Sequence, residues 1–292
     1  MQLASYKIII TVYEQKSFQK ASELLHMTPS AVSHAVSKLE QELGFSLFIR
    51  SKNGVTLTSY GENLLPAFRN VVNSDESLKQ AILEINGLEK GTVRIGCFNS
   101  VCTNWIPALT RDFNAIYPGI SIEIFQGTYV DIIEWIKSGV VDLGFLSVSS
   151  AGKLPIYPLY NDQLVCIVPK GYSVSQPDYI TLDEIKDESF VIQHITCDAD
   201  IQNYFAAHNL KIKSAYHVVD DLSTVALVSH GFGICLLPKL IMQDISYPVD
   251  TYPIKPDASR VIGISALNTE CMSPAVKKMY DFIIHYNYIV RP

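Results

Sequence analysis

Three stretches in the first 45 residues repeat apolar side chains with a helical period. LASYKIIITVYE (residues 3–14) reads as a first helix. FQKASELLH places Phe18, Ala21, Leu24 and Leu25 along one face and follows Ser17, a residue suited to cap it. In TPSAVSHAVSKLE, Val32, Ala35, Val36 and Leu39 fall at i, i+3, i+4 and i+7; Thr28 stands at the cap, Pro29 at the first helical position, and Gly44 closes the run. Two short helices joined through Met27-Thr28, with the small Ala21 allowing close approach, predict a helix-turn-helix. The opposite face of the third helix carries Ser30, His34, Ser37, Lys38 and Gln41. Such a face needs either water or a partner that reads hydroxyls and imidazole.

Downstream, strand-like pieces near Leu47 to Arg50 and Val55 to Leu57 flank Ser51-Lys52-Asn53-Gly54, and Asn-Gly between such pieces predicts a hairpin, here a wing. Residues 59 to about 88 read as one long helix. In it Leu64, Phe68, Val71, Asp75, Leu78, Ile82 and Ile85 alternate steps of four and three. That spacing predicts a coiled-coil-like dimer seam of Leu64, Phe68, Val71, Leu78, Ile82 and Ile85, interrupted once by Asp75. A helix packed on its own chain is the alternative. Pro66 lies early enough for a kink to be tolerated.

After residue 90 the pattern alternates between strands and helices. TVRIGCF, ISIEIF and VDLGFLSV are strand-like, separated by the amphipathic TNWIPALTRDFNAIY and YVDIIEWIKSG. A second set has LVCIVP, SFVIQ, AYHVV, FGICLLP and RVIGISAL as strands, with helices around Asp198 to His208, Asp221 to His230 and Ser273 to Tyr286. Alternation of this kind predicts open α/β sheets that hold ligands at the carboxyl ends of their strands. The fold class expected is α+β multidomain: a winged helix-turn-helix over residues 1–58, a linker and dimerisation helix over 59–90, and a two-lobed α/β domain over 91–292. Lobe I is expected at about 91–160 plus 268–292 and lobe II at about 161–267, with the chain crossing near Ser147 to Pro155 and returning near Asn268 to Ser273.

Composition narrows the function classes. The 292 residues are 48% apolar and 18% charged, enough for two or three cored domains. A net charge of −6 argues against a histone-like polyanion binder. Residues 1–58 nevertheless hold six Lys and Arg against four Glu, a net +2, leaving −8 for the remainder. The start MQLASYKIII lacks the features of a signal peptide and no apolar run reaches membrane-spanning length, so a cytoplasmic protein is expected. Cys97, Cys102, Cys166, Cys197, Cys235 and Cys271 are scattered without Cys-x-x-Cys or metal spacing, which reads as free thiols and no metal. Gly-x-Ser-x-Gly, His-x-x-x-His and a glycine-rich phosphate loop are absent, so neither an enzyme nor a cofactor is expected.

SFQKASELL, SHAVSKLE, LGFSLFIR and LTSYG occur in order, followed by IGCFNS and GFGICLLP. Together these blocks resemble the LysR-type transcriptional regulators over nearly the whole chain, with Ser22 and Val36 as mild departures from the family pattern. The resemblance implies double-stranded promoter DNA and a small-molecule effector as partners, RNA polymerase as a further candidate, a homodimer or homotetramer, and no membrane.

For the DNA end, the resemblance puts the helix from Pro29 in the major groove with its N-terminal part nearest the bases. Candidate contacts are Thr28, Pro29, Ser30, Ser33, His34, Ser37 and Lys38, with Arg50 and Lys52 reaching phosphate or the minor groove from the wing. Many relatives have Arg where this chain has His34 and Ser37, so affinity per half-site is expected to be modest. For the effector end, strand-to-helix loops offer free backbone N–H groups. Phe98-Asn99-Ser100-Val101, with Thr103 just inside the helix, and Gln126-Gly127-Thr128 are such loops. Ser100 and Thr128 match family positions that hold effector, and the facing lobe would add Gln193 to Thr196, including His194 and Thr196, together with Ser223. Helix capping is the competing role for each hydroxyl. With no Arg or Lys in these loops, a neutral or monoanionic effector is expected. The alternatives are a regulator whose lobes have lost ligand binding and a cysteine-based redox sensor using Cys97 and Cys102.

Overall fold

The computed structural model describes residues 2–52, 54–193, 199–210 and 212–288. The chain divides into two compact units, one of Met1–Lys90 with Lys137–Val140 and one of Gly91–Ile136 with Val141–Pro292. In the N-terminal unit, helices α1 (Leu3–Gln15), α2 (Phe18–Leu24) and α3 (Pro29–Leu43) precede strands β1 (Phe48–Ser51) and β2 (Gly54–Leu57) and the long helix α4 (Ser59–Ile85). Ser17 and Thr28 cap α2 and α3 by accepting the backbone N–H groups of Lys20 and Ala31, and Gly44, at φ +82°, ends α3 in the left-handed region. Ile9, Val12, Ala21, Val32, Val36, Leu39 and Leu47 are buried together. At roughly 1.5–3 kcal/mol for each large aliphatic side chain removed from water, this cluster fixes the orientation of α3.

Polar residues of the ordered blocks hold the connections. Glu40 Oε1 accepts the N–H groups of Leu47 at 2.7 Å and Phe48 at 3.1 Å, satisfying the start of the wing. The Thr58 hydroxyl donates to the Ser46 carbonyl at 2.8 Å and accepts the Gly61 N–H at 3.1 Å, joining the wing to α4. A Cβ on Gly61 would run into the Leu47 carbonyl oxygen, so only glycine allows that approach. β1 and β2 pair antiparallel from Phe48↔Leu57 to Ser51↔Gly54. Asn53 lies outside the described residues.

Helix α4 runs through Pro66 without ending. Phe68, expected on the dimer seam, is buried instead and stacks on Tyr6 with centroids 5.0 Å apart and planes 14° from parallel. Leu64 is half-buried on the same core. The N-terminal part of α4 packs on α1, so its apolar stripe serves its own chain there. Beyond it Val71, Leu78, Ile82 and Ile85 are 48%, 62%, 50% and 85% exposed. Asp75, the break in the stripe, pairs with Lys79 at 2.8 Å.

The second unit begins with β3 (Gly91–Cys97), α5 (Asn99–Asn104), α6 (Ile106–Ile116), β4 (Ile120–Gln126), α7 (Tyr129–Lys137), β5 (Leu143–Ser147) and β6 (Ile156–Pro169). It continues through β7 (Ile180–Thr181), α8 (Leu182–Ile185), β8 (Ser189–Gln193), α9 (Ala199–Ala207), β9 (Lys213–Val218), α10 (Asp221–Ser229) and β10 (Cys235–Pro238). A 3-10 turn (Lys239–Asp244), β11 (Val249–Lys255), β12 (Ser259–Ser265) and α11 (Pro274–His285) complete it. The expected helix from Thr103 to Tyr117 is therefore two, broken at Trp105 ahead of Pro107, which has no N–H to continue an upstream helix.

Strand order is β4-β3-β5-β12-β6-β11-β7, with β10 also on β6. β3 pairs parallel with β4 and β5, as strands joined by helical crossovers do. β8 and β9 form a second parallel pair, bridged to the β10 segment at Phe190↔Ile234. The expected lobe crossings are corrected. β6 pairs with β12 from Ile156 to Gln163 and with β10 and β11 from Leu164 onward, so the chain passes between lobes inside this single strand. It returns at residues 256–258, which places β12 beside β5 in the first lobe rather than in the second. The mixed first half of β6 and its apolar second half differ in burial because each half lies in a different sheet. Among the described residues, no helix is long and apolar enough to cross a membrane.

Candidate functional site

Burial of Val32, Val36 and Leu39 turns the opposite face of α3 outward. Ser30, His34, Ser37 and Lys38 are exposed there, as are Thr28 and Pro29 at its start; Ser33 is half-buried at the edge. Thr28 Oγ1 is also 3.1 Å from Ser30 Oγ. From the wing, Arg50 Nη1 donates to Ser33 Oγ at 3.2 Å while its guanidinium covers the Phe18 ring at 4.2 Å. This stacking orients an exposed cation beside the helix N-terminus, where backbone N–H groups already favour an anion. Lys52 stands exposed in the adjacent turn. Glu40, from the same block as Ser33 and Ser37, faces the wing backbone instead.

In the second unit a cavity of about 300 Å³ opens between the lobes. The loops after β3 and β4 supply Phe98, Asn99, Ser100, Gln126, Gly127, Thr128 and Tyr129 from one side; Gln193, Val219, Asp220, Asp221, Pro238 and Ile241 face them, and Arg260 of β12 also lines the wall. The two sides are bonded to one another. Gln126 Nε2 donates to Asn99 Oδ1 at 3.0 Å, Asn99 Nδ2 donates to Asp221 Oδ2 at 2.6 Å, and Gln193 Nε2 donates to Asp221 Oδ1 at 2.6 Å. A Cβ on Gly127 would come within 2.6 Å of the Trp135 ring, so glycine lets this loop lie against α7.

Arg260 and Asp162 form an ion pair, 6% and 1% exposed, in which Nε and Nη2 donate to Asp162 Oδ2 at 3.0 and 2.8 Å. Nη2 also reaches Ser100 Oγ at 2.7 Å and Nη1 the Tyr129 hydroxyl at 3.1 Å. Burial holds the Asp162 carboxyl above its ordinary range, with the Arg260 charge and the Leu240 N–H opposing that rise in part. Arg260 therefore arrives largely neutralised and fixes both loops of the first lobe.

Several expected effector residues are not on the wall. Thr103 is exposed and donates to the Asn99 carbonyl four residues back in its own helix at 2.6 Å, a bond threonine hydroxyls commonly make within helices. Ser223 is also off the cavity; its N–H donates to Asp220, whose carboxyl the hydrogen bonds from Ser223 hold below its usual range. Thr128 does line the cavity, with its hydroxyl on Asp131 at 2.7 Å. His194 and Thr196 lie outside the described residues, as does Cys197. Burial, and then the neighbouring Cys102, push the Cys97 thiol up, away from the thiolate that redox chemistry needs. Asp221 and Arg260 were missed as wall residues. The one available signal was an arginine beginning the otherwise apolar run RVIGISAL.

Residues 3–62 match the family described as "Bacterial regulatory helix-turn-helix protein, lysR family", and residues 86–287 match the "LysR substrate binding domain". The chain belongs to the LysR family of DNA-binding transcriptional regulators. Among curated LysR-type relatives, the uncharacterized HTH-type transcriptional regulator YvbU of Bacillus subtilis is 26% identical over 95% of this chain and 96% of its own. The probable HTH-type transcriptional regulator LrrA of Synechococcus elongatus is 26% identical over 97% and 96%. A full-length OxyR variant from Pseudomonas aeruginosa shares the fold with a TM-score of 0.77 at 20% identity, covering 100% of both chains. The effector binding domain of QuiR in complex with shikimate is 28% identical, TM-score 0.62, over 68% of this chain and 97% of its own. Within the LysR blocks of this chain, the sheet and helix geometry gives distinct duties: Glu40, Thr58 and Gly61 fasten the wing, while Ser33 and Ser37 remain on the outer face of α3.

Proposed function

We propose that this regulator binds promoter DNA as a homodimer or homotetramer and that a small molecule in the interlobe cavity changes how it does so. The functional modules are the winged helix-turn-helix over 1–58, the linker helix over 59–90 and the effector module over 91–292, with lobes meeting within β6. Ser30, Ser33, His34 and Ser37 read base edges, Thr28, Pro29 and Lys38 meet the backbone, and Arg50 and Lys52 hold phosphate or the minor groove. The observation that carries the DNA assignment is Arg50 fixed on Ser33 and Phe18, which joins wing and recognition helix into one polar, basic surface. With Lys38 the one cation on the outer face of α3, a single half-site is weak, and pairing of subunits along Val71, Leu78, Ile82 and Ile85 supplies the second.

Asn99, Ser100, Gly127 and Thr128 form the effector wall on one lobe, with Gln193 on the other. A ligand that binds one setting of the lobes better than another shifts their population, and through α4 the spacing of paired recognition helices. The protein works in the cytoplasm, where promoter DNA and RNA polymerase are. Footprinting on the DNA flanking its own gene tests the DNA assignment: the wild type should protect a site with two half-sites. Arg50→Ala should weaken binding and reduce the salt dependence by about one counterion, whereas an absence of protection, or an unchanged salt slope in the variant, would remove it.

A further inference from the structure

Among the described residues of the cavity wall the charges do not balance. Arg260 is matched by Asp162, and four of its five N–H groups are taken, by Asp162 twice, Ser100 and Tyr129. Among the described wall residues it is the one cation. Asp221 is 7% exposed and lines the same cavity, yet its carboxylate meets the neutral amides of Asn99 and Gln193. Its place as first residue of α10 adds the helix N-terminus as partial compensation. Asp131 and Asp220 stand exposed on the wall, and both already accept backbone N–H groups, from Thr128 and Ser223.

A buried carboxylate is ordinarily paired with a cation or richly hydrogen-bonded, and a carboxylate has about four acceptor positions. Two amide donors leave Asp221 with capacity for more. An anionic ligand would bring a like charge beside this largely buried group, whereas an ammonium would supply an opposite charge and further donors to its remaining acceptor positions. Resting on the effector reading given under Proposed function, we propose that the cavity takes an effector bearing a protonated amine or similar N–H cation, held by Asp221. This replaces the neutral or monoanionic class expected from the loops alone. Asn99 donates to that carboxylate from the opposite lobe, so an ammonium at Asp221 competes with or joins the Asn99 bond and acts where the lobes meet.

The test uses the full chain and compounds of two skeletons, each in three charge states: 1,5-diaminopentane, 1,5-pentanediol and glutarate, and cyclohexylmethylamine, cyclohexylmethanol and cyclohexanecarboxylate. Melting shifts and calorimetric titration are read on wild type and on Asp221→Asn. The inference expects the amine of at least one skeleton to bind more tightly than its alcohol and carboxylate, and Asp221→Asn to weaken it about 10- to 100-fold, the range of a charged hydrogen bond. A carboxylate that binds best, an amine affinity unchanged in the variant, or no binding by any amine would overturn it. The comparison within the wild type stands even if the variant fails to fold. A carboxylate that binds and alters the footprint overturns the cationic class while leaving the effector role intact; binding that never alters the footprint counts against the effector role itself.

Discussion

Asn99 donates to Asp221 at 2.6 Å although 122 residues separate them, tying the start of α5 in one lobe to the start of α10 in the other. The same carboxylate receives Gln193, and Asn99 in turn receives Gln126, so one chain of side chains spans the cavity. Hydrogen bonds to a charged group contribute about 1.5–3 kcal/mol each. Asn99→Ala should therefore cost about that much in urea unfolding, and much less in an Asp221→Ala background. A double-mutant cycle with no coupling would show that the bond does not hold the lobes.

Arg260 and Asp162 pair at 6% and 1% exposure, so breaking the pair leaves a charge buried. Asp162→Asn leaves a buried guanidinium without its counter-charge, and a loss of about 3–5 kcal/mol is expected in the same unfolding measurement. Replacing both residues by apolar ones of similar volume should cost less than that single change, although Ser100 and Tyr129 lose their shared donor. Equal stability of Asp162→Asn and wild type would mean that the pair is not closed in solution.

The exposed and buried parts of the apolar stripe on α4 should respond differently to charge. Ile82→Asp places a carboxylate on an exposed ridge; sedimentation should report loss of dimer with the melting of a folded chain retained. Phe68→Asp removes the partner stacked on Tyr6 and buries a charge, so it should unfold the N-terminal unit. A dimer that persists in Ile82→Asp would take the seam away from this stretch.

Acid should act on the second unit through Glu184. Hydrogen bonds from Ser175 and Thr181 lower its carboxyl to about 2. An unfolded Glu binds its proton near its ordinary value of about 4.3, so between there and 2 the unfolded state holds more protons. The contribution is present above that window and is lost as pH falls through it. Denaturant midpoints at pH 5 and pH 3 should fall less in Glu184→Gln than in wild type; equal falls would exclude this group as a source of acid sensitivity.

Local periodicity made α3 legible, because Val32, Ala35, Val36 and Leu39 announce a buried face and Thr28, Pro29 and Gly44 mark its ends. The same spacing misassigned Phe68, since a stripe looks alike whether α1 of the same chain or a second subunit covers it. Hydroxyls in strand-to-helix loops were equally ambiguous: Ser100 and Thr128 reach the cavity, but Thr103 and Ser223 serve their own helices. Asp221 and Arg260 were harder to place for a different reason. Their partners Asn99, Gln193, Ser100 and Asp162 come from distant segments, and only the folded sheets with β6 shared between lobes bring them together.

The most direct test of ligand-controlled DNA binding is a quantitative footprint on the DNA flanking the gene, titrated with an amine that raises the melting temperature. The wild type should show a changed affinity or a changed pattern of protection at saturating amine, and Asp221→Asn should show neither at the same concentration. An identical footprint in wild type with and without saturating amine would contradict the account.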